Sequence, residues 1–167
     1  MDYWIFNVRN NKTSRTMNKG IEIYHFGMEK SFWKIKNYVS DGKRTPNVSF
    51  LKNDDRVIFY LAGKEGRCFL GTCLLDSSFK TLSLDEFKRV INDENSDWCN
   101  GVFLKNIVQW DKPIPVRILL GKVSFINEIK NYGSFIQGSI RKISKKDFEA
   151  IVREQKKLKK LSYALDK

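Results

Sequence analysis

Bulky and β-branched residues alternate with smaller or polar ones from Tyr3 to Arg9, the period-two pattern of a strand. The far end of that strand delivers Asn7, Arg9, Asn10 and Asn11 to solvent or to a pocket. From Asn10 to Gly20 the periodicity stops and turn-forming residues dominate, which predicts a loop. Ile21 to Phe26 reads as extended. Met28 to Val39 carries Phe32, Trp33, Ile35 and Val39 at a spacing that suits either a short helix or an irregular loop. Ser40 to Pro46 is turn-rich and basic, and Pro46 disfavours helix at Thr45.

The clearest pattern is a pair of apolar, β-rich runs, Asp55 to Ala62 and Arg67 to Leu75, separated by Gly63-Lys-Glu-Gly66; this predicts a hairpin. Ser83-Leu-Asp-Glu86 has the form of a capping box, in which the serine oxygen accepts a free helix N–H while the glutamate reaches back to the cap. It predicts a helix to about Asn92. Gly101 to Trp110 and Pro115 to Leu120 read as strands joined through Asp111-Lys-Pro-Ile-Pro, and Ser139 to Ile143 reads as a further strand after a loop at Gly133 to Gly138. Ser144-Lys-Lys-Asp147 then heads a final helix over about 145–165, with Phe148, Ile151, Val152, Leu158, Leu161 and Leu165 at helical spacing. Arg153, Lys156, Lys157, Lys159 and Lys160 crowd its other faces. Five or six strands with peripheral helices predict an α+β barrel rather than alternating βαβ units.

The 167 residues suit one domain, 1–167, and the 41% hydrophobic content is that of a chain that folds. Charge changes the picture more. The 31 Lys and Arg against 19 Asp and Glu leave +12, which draws in anionic partners, nucleic acid foremost. A merely solvated lysine surface is the bland alternative. Cys68, Cys73 and Cys99 form no zinc-like pair and no disulfide framework, which fits a reducing cytoplasm. Cys68 and Cys73, five apart, are expected on opposite faces of a strand as small buried hydrophobes. No apolar run approaches the ~18 residues of a membrane span, so a soluble cytoplasmic protein without a membrane partner is expected.

His25 is the one histidine, which removes His-rich metal sites and most nucleophile–imidazole pairs; in its aromatic setting it reads as a packed or surface ring. Neither phosphate-binding glycine motif occurs. The adjacent carboxylates Asp54-Asp55 and Asp93-Glu94 sit where such pairs cap or solvate. No catalytic residue, metal or cofactor is therefore expected. Tryptophan, basic side chains and amides remain, the groups that grip an unstacked base: a ring stacks on it, amides read its edge and lysines hold phosphates. Trp33, among Lys30, Lys34 and Lys36, is the leading candidate. Trp98 lies in the polar stretch Asn95-Ser-Asp-Trp-Cys-Asn100, with no evident core reason for its ring, and would be the second wall of a slot. Either ring packing its own loop is the alternative. Trp4 and Trp110 read as core or rim.

Taken in order, Tyr3-Trp-Ile-Phe-Asn-Val-Arg9, Phe32-Trp33, the block from Asp55 through Leu75, Pro115-Val-Arg-Ile-Leu-Leu120 and Phe135-Ile-Gln-Gly-Ser-Ile-Arg-Lys-Ile-Ser144 resemble the EVE domain. EVE domains belong with YTH and ASCH domains to the PUA-like barrels. The resemblance implies a non-catalytic barrel that binds nucleic acid and accepts a flipped or unpaired, modified base: a 5-substituted cytosine in DNA, or a modified base in RNA. It places Trp33 at a cage position, matches Asn7-Val-Arg-Asn-Asn11 to the polar end of the first strand, and makes Gln137 a pocket lip. Tyr132 stands where many EVE domains carry tryptophan. The base pocket is thus expected from Trp33, Trp98, Asn7, Arg9, Asn10 and Gln137. Phosphate contacts are expected from Lys30, Lys34, Lys36, Lys43, Arg44, Arg153, Lys156, Lys157 and Lys160. An ASCH-like RNA-processing nuclease and a structural adaptor barrel are the alternatives.

Overall fold

Strand β1 (Tyr3–Val8) pairs in parallel with β3 (Arg56–Leu61) and antiparallel with β7 (Ile140–Ile143), so the chain's first strand ends up inside the sheet. In the computed structural model, residues 1–10, 19–36, 45–63, 66–92, 98–126 and 139–165 are described, with side chains to 161. β3 and β4 (Cys68–Leu75) form the expected hairpin, closed by Arg67 N–H donating to the Leu61 carbonyl at 2.7 Å. β4 pairs with the long β6 (Asn100–Pro115), which also pairs with β2 (Phe32–Lys34) and with β5 (Lys80–Thr81). The order β2-β6-β4-β3-β1-β7, with β5 beside β6, makes a curled mixed sheet, a half-barrel of seven strands where five or six were expected. Among the described residues three helices join it: α1 (Gly20–Lys30), α2 (Leu84–Val90) and α3 (Lys145–Leu165).

Side-chain alternation gives the sheet two apolar faces. Trp4, Phe6 and Val8 of β1 join Val57 and Phe59 of β3 in one core, to which Tyr24 and Met28 of α1 and Trp33 also belong. Tyr3, Ile5, Ile58 and Tyr60 face the other way, into a second core closed by Phe148 and Ile151 of α3.

Both capping signatures form helix starts. Ser83 Oγ accepts the Glu86 N–H at 3.3 Å while Glu86 accepts the Ser83 N–H at 3.0 Å. At α3, Ser144 Oγ accepts the Asp147 N–H at 3.0 Å, and the buried Asp147 carboxylate takes hydrogen bonds from the Ser124 N–H and the hydroxyls of Ser124 and Ser144.

Four local expectations are corrected. Ile21 to Phe26 is helical, not extended. Gly20, Tyr24, Gly27 and Met28 form the buried stripe of α1, a helical spacing whose glycines look like breakers in the sequence. Phe32–Lys34 is a strand on β6 rather than helix or irregular loop. The Asp111-Lys-Pro segment does not separate two strands: β6 runs on to Pro115, and its register jumps from Gly71–Gln109 to Phe69–Ile114. The bulge absorbs Pro113, which has no N–H to give a ladder. Val116–Leu119 beyond it is a 3₁₀ turn. Finally, the bulges in β4 reset its alternation, so Cys68 and Cys73 touch the same core instead of opposite faces. Burial pushes both thiols up, away from the reactive thiolate.

Candidate nucleic-acid cleft

β1 stops at Val8, and the chain that follows carries Arg9 and Asn10 past the end of the sheet. Ser139 accepts the Asn7 N–H at 2.9 Å, which ties the start of β7 to the same spot, and β2 lays Trp33 and Lys34 alongside. Between them is a half-open cleft of about 290 Å³. Asn7, Arg9, Asn10, Trp33, Lys34, Lys36 and Trp98 line it, together with Ile23, Ile35, Ser139 and Ile140. Side chains separated by up to 133 positions in the sequence, from Asn7 to Ile140, thus share one concavity. Among the described residues its lining holds three cations and no acid, a field that favours an anionic or electron-rich guest.

The two indoles do not form parallel walls. Trp33 is 5% exposed and Trp98 4%; their centroids lie 6.1 Å apart with the planes at 79°. Trp33 packs edge-on against Phe59 at 4.9 Å and Trp98 against Phe26 at 4.9 Å, the geometry that the ring quadrupoles prefer. In place of the expected two-walled slot the rings meet as a corner, each nearly buried, with only their cleft-side atoms lining the cavity. Trp98 also has the core reason its sequence context hid, since it closes a small cluster with Phe32, Leu82 and Ile91. Room for Trp33 is made by Gly27, where a Cβ would lie 2.8 Å from the indole Cε3. Gly101 allows β6 to approach equally closely: a Cβ there would lie 2.0 Å from the Trp33 carbonyl oxygen.

Asn10 is partly committed to the fold, because its Oδ1 accepts the Gly20 N–H at 2.8 Å and so caps α1. The β2 edge is fixed by the Ile35 N–H donating to Asn100 at 2.9 Å and by the Thr45 hydroxyl donating to the Lys36 carbonyl. Lys30 is not brought to the cleft; it pairs with Glu29 at 3.5 Å and lies over the Phe26 ring. Arg153, Lys156, Lys157 and Lys160 sit on α3, across the sheet. Gln137, Lys43 and Arg44 lie outside the described residues, as does Tyr132. Ile23, Ile35, Ser139 and Ile140 were missed. Ile23 becomes a wall only because its segment is helical; Ile35 and Ile140 carry no polar signal, and nothing in the sequence around Ser139 sets it apart from the other serines.

The remaining candidate chemistry resolves into structure. His25 faces Gln109 Oε1 at 3.3 Å from the helix, not from a strand. Asp55 is buried and accepts hydrogen bonds from Trp4 Nε1 at 2.9 Å, the Asp2 N–H at 2.7 Å and the Lys52 N–H at 3.1 Å, so it is a structural cap. Trp4 is core, and Trp110 is half-buried at the edge of the α3-side core. Among the described residues no group of His, Cys, Asp and Glu could hold a metal ion, and no helix is long and apolar enough to cross a membrane.

This curled sheet with its cleft at the end of β1 has the PUA-like fold of the EVE and YTH domains. A hypothetical protein from Leishmania major superposes with a TM-score of 0.58 at 18% identity, over 95% of this chain and 97% of the other. Human THYN1, solved in complex with DNA containing 5-methylcytosine, superposes with a TM-score of 0.58 at 10% identity, over 93% and 98%. The YTH domain of Zygosaccharomyces rouxii MRB1, solved with N6-methyladenosine RNA, gives 0.50 at 9% identity, over 92% and 86%. No family model and no curated protein matches the sequence. At these identities the likeness is one of fold.

Proposed function

We propose that this protein is a non-catalytic, EVE-like reader of nucleic acid that takes one unpaired or flipped, modified base into the cleft beside Trp33. The observation that carries the reading is the convergence of Asn7, Arg9, Trp33, Lys34, Lys36 and Trp98 on one cavity whose described lining holds no acid. Its volume, about 290 Å³, lies near the lower end of small-molecule sites and suits a single heterocycle better than a larger cofactor. Two proteins of the same fold, human THYN1 and the yeast YTH domain, were solved on DNA with 5-methylcytosine and RNA with N6-methyladenosine. In this reading an indole stacks on the base, Asn7 and Arg9 meet its polar edge, and Lys34 and Lys36 take the flanking phosphates.

The corner geometry sharpens the energetics. Stacking on one aromatic ring is worth about 1–3 kcal/mol, while extruding a paired base costs a few kcal/mol. A single stacking face does not comfortably offset that cost, so a base already unpaired is the better ligand. Isothermal titration with one modified oligonucleotide in single-stranded, mismatched and matched-duplex form tests this. Affinity should fall in the order single-stranded or mismatched, then matched. A preference for the matched duplex would sink the base-capture mechanism, because a groove reader needs the paired edges. Repeating the titration with 5-methylcytosine in DNA and N6-methyladenosine in RNA, each against its unmodified parent, then identifies the base.

A further inference from the structure

The basic helix α3 is separated from the cleft by the sheet itself. Trp33 shares its core with Trp4, Phe6 and Val8, whereas Phe148 and Ile151 of α3 sit on Tyr3 and Ile5, the alternate residues of the same strand. A nucleotide in the cleft therefore cannot reach the α3 cations. Those cations are arranged. Lys146, Arg153, Lys156 and Lys160 are all exposed, and their spacing of seven, three and four puts them along one side of the helix. From Lys146 to Lys160 the line runs about 21 Å at ~1.5 Å per residue. That matches about six base pairs of duplex, with one phosphate charge per ~1.7 Å of axis.

Of the three acids of α3, two are buried away from this line, and the third, Glu149, lies on it between Lys146 and Arg153. Asp147 is buried in the helix cap. Glu154 is buried between Lys122 and Lys157, each at 2.8 Å, and those two ammonium groups hold its carboxyl below the usual range. Glu149 pairs with Lys145 at 3.7 Å. No described acid pairs with Lys146, Arg153, Lys156 or Lys160.

We infer that α3 is a second nucleic-acid site, independent of the cleft, which grips the phosphate backbone of a duplex without reading its sequence, so that the protein holds two separate segments at once. The charge complementarity to a polyphosphate of four exposed cations along one side of a helix, none with a carboxylate partner among the described residues, carries this. It goes beyond the base-reading proposal and does not depend on it.

The test compares the wild type with a Arg153→Glu, Lys156→Glu, Lys160→Glu variant, checked for an unchanged melting curve. The probes are an unmodified duplex longer than the cationic line and a short single-stranded oligonucleotide carrying the modified base. The variant should bind the duplex about tenfold more weakly or worse. Its log–log salt dependence should be flatter by about 0.9 per lost phosphate contact. Its affinity for the short oligonucleotide should stay at the wild-type value, and wild type saturated with duplex should still take up that oligonucleotide. An unchanged duplex affinity and salt slope overturns the inference, as does competition between the two probes for one site. Binding of wild type to phosphatidylserine vesicles but not to duplex overturns it in favour of a membrane surface. If no modified oligonucleotide binds at all while the duplex loss persists, the cleft proposal fails and the α3 site stands.

Discussion

The two faces of the β1–β3 region are built from alternate residues of the same strands, yet among the described residues one is closed by α3 and the other lines a cleft. On the sealed side the 21-residue α3 lays Phe148 and Ile151 over Tyr3 and Ile5. On the open side the covering helix α1 has only 11 residues and presents Gly20 and Gly27 toward the core. Gly20 sits against the Arg9 backbone and Gly27 against the Trp33 ring, so bulk on this face comes from an indole inserted beside the helix rather than from the helix. The cleft lies at the end of β1 beside these closely packed rings.

The sharpest way to break this comparison is Trp33→Ala. Because the ring is nearly buried and leans on Phe59 and Trp98, its removal should cost about 3–5 kcal/mol, read from urea denaturation, before any ligand is considered. A loss below about 0.5 kcal/mol would show that the open face does not depend on the indole. Trp33→Phe keeps an aromatic filler, and should leave a folded protein that discriminates modified from unmodified base less well.

Gly27→Ala probes the same packing from the helix side. The added methyl meets the Trp33 ring at 2.8 Å, so stability should fall by about 1–3 kcal/mol despite alanine's better helix propensity. A stabilised variant would mean that the ring can move aside freely, and that the cleft is not rigid.

On the sealed face the equivalent lever is polar. Burial works against the charge of Asp147, but hydrogen bonds from Ser144 and Ser124 outweigh it and hold the carboxyl below the usual carboxylate range. A depressed folded-state pKa contributes stability above the unfolded value, near 3.9, and loses it as pH falls through the folded value. Asp147→Asn should therefore lower stability by about 1 kcal/mol at neutral pH. Thermal melts of the two proteins should converge in strong acid; a gap that stays constant with pH would assign the loss to packing instead. The smallest effect is expected at Leu161, which continues the apolar spacing of α3 but is 61% exposed. Leu161→Ser should change stability by less than about 0.5 kcal/mol.

Elements that close on themselves were the most legible. The β3–β4 hairpin and the caps at Ser83 and Ser144 depend on residues a few positions apart, whose geometry local chemistry fixes. Helix α1 and strand β2 were not legible, because their stability comes from partners far along the chain. Gly20 needs the Asn10 cap and Gly27 needs the Trp33 ring, while Phe32–Lys34 becomes a strand only against Gly101–Phe103. The run of β6 past Pro113 was hidden for the same reason, since a bulge is defined by the partner strand.

By itself, the sequence determined the barrel class, the surplus of positive charge, the absence of histidine clusters and the residue types suited to holding a base, all of which follow from composition and short periods. The tertiary structure decided which of those residues meet. It gathered Asn7, Arg9, Trp33, Lys34, Lys36 and Trp98 at one strand end, turned the two indoles to a right angle, and sent the α3 cations to the far side of the sheet. The physical reason is that a strand's two faces are one residue apart in sequence but on opposite sides of a packed layer in space. Which face a distant segment joins is settled by the packing of its apolar side chains, not by its own pattern.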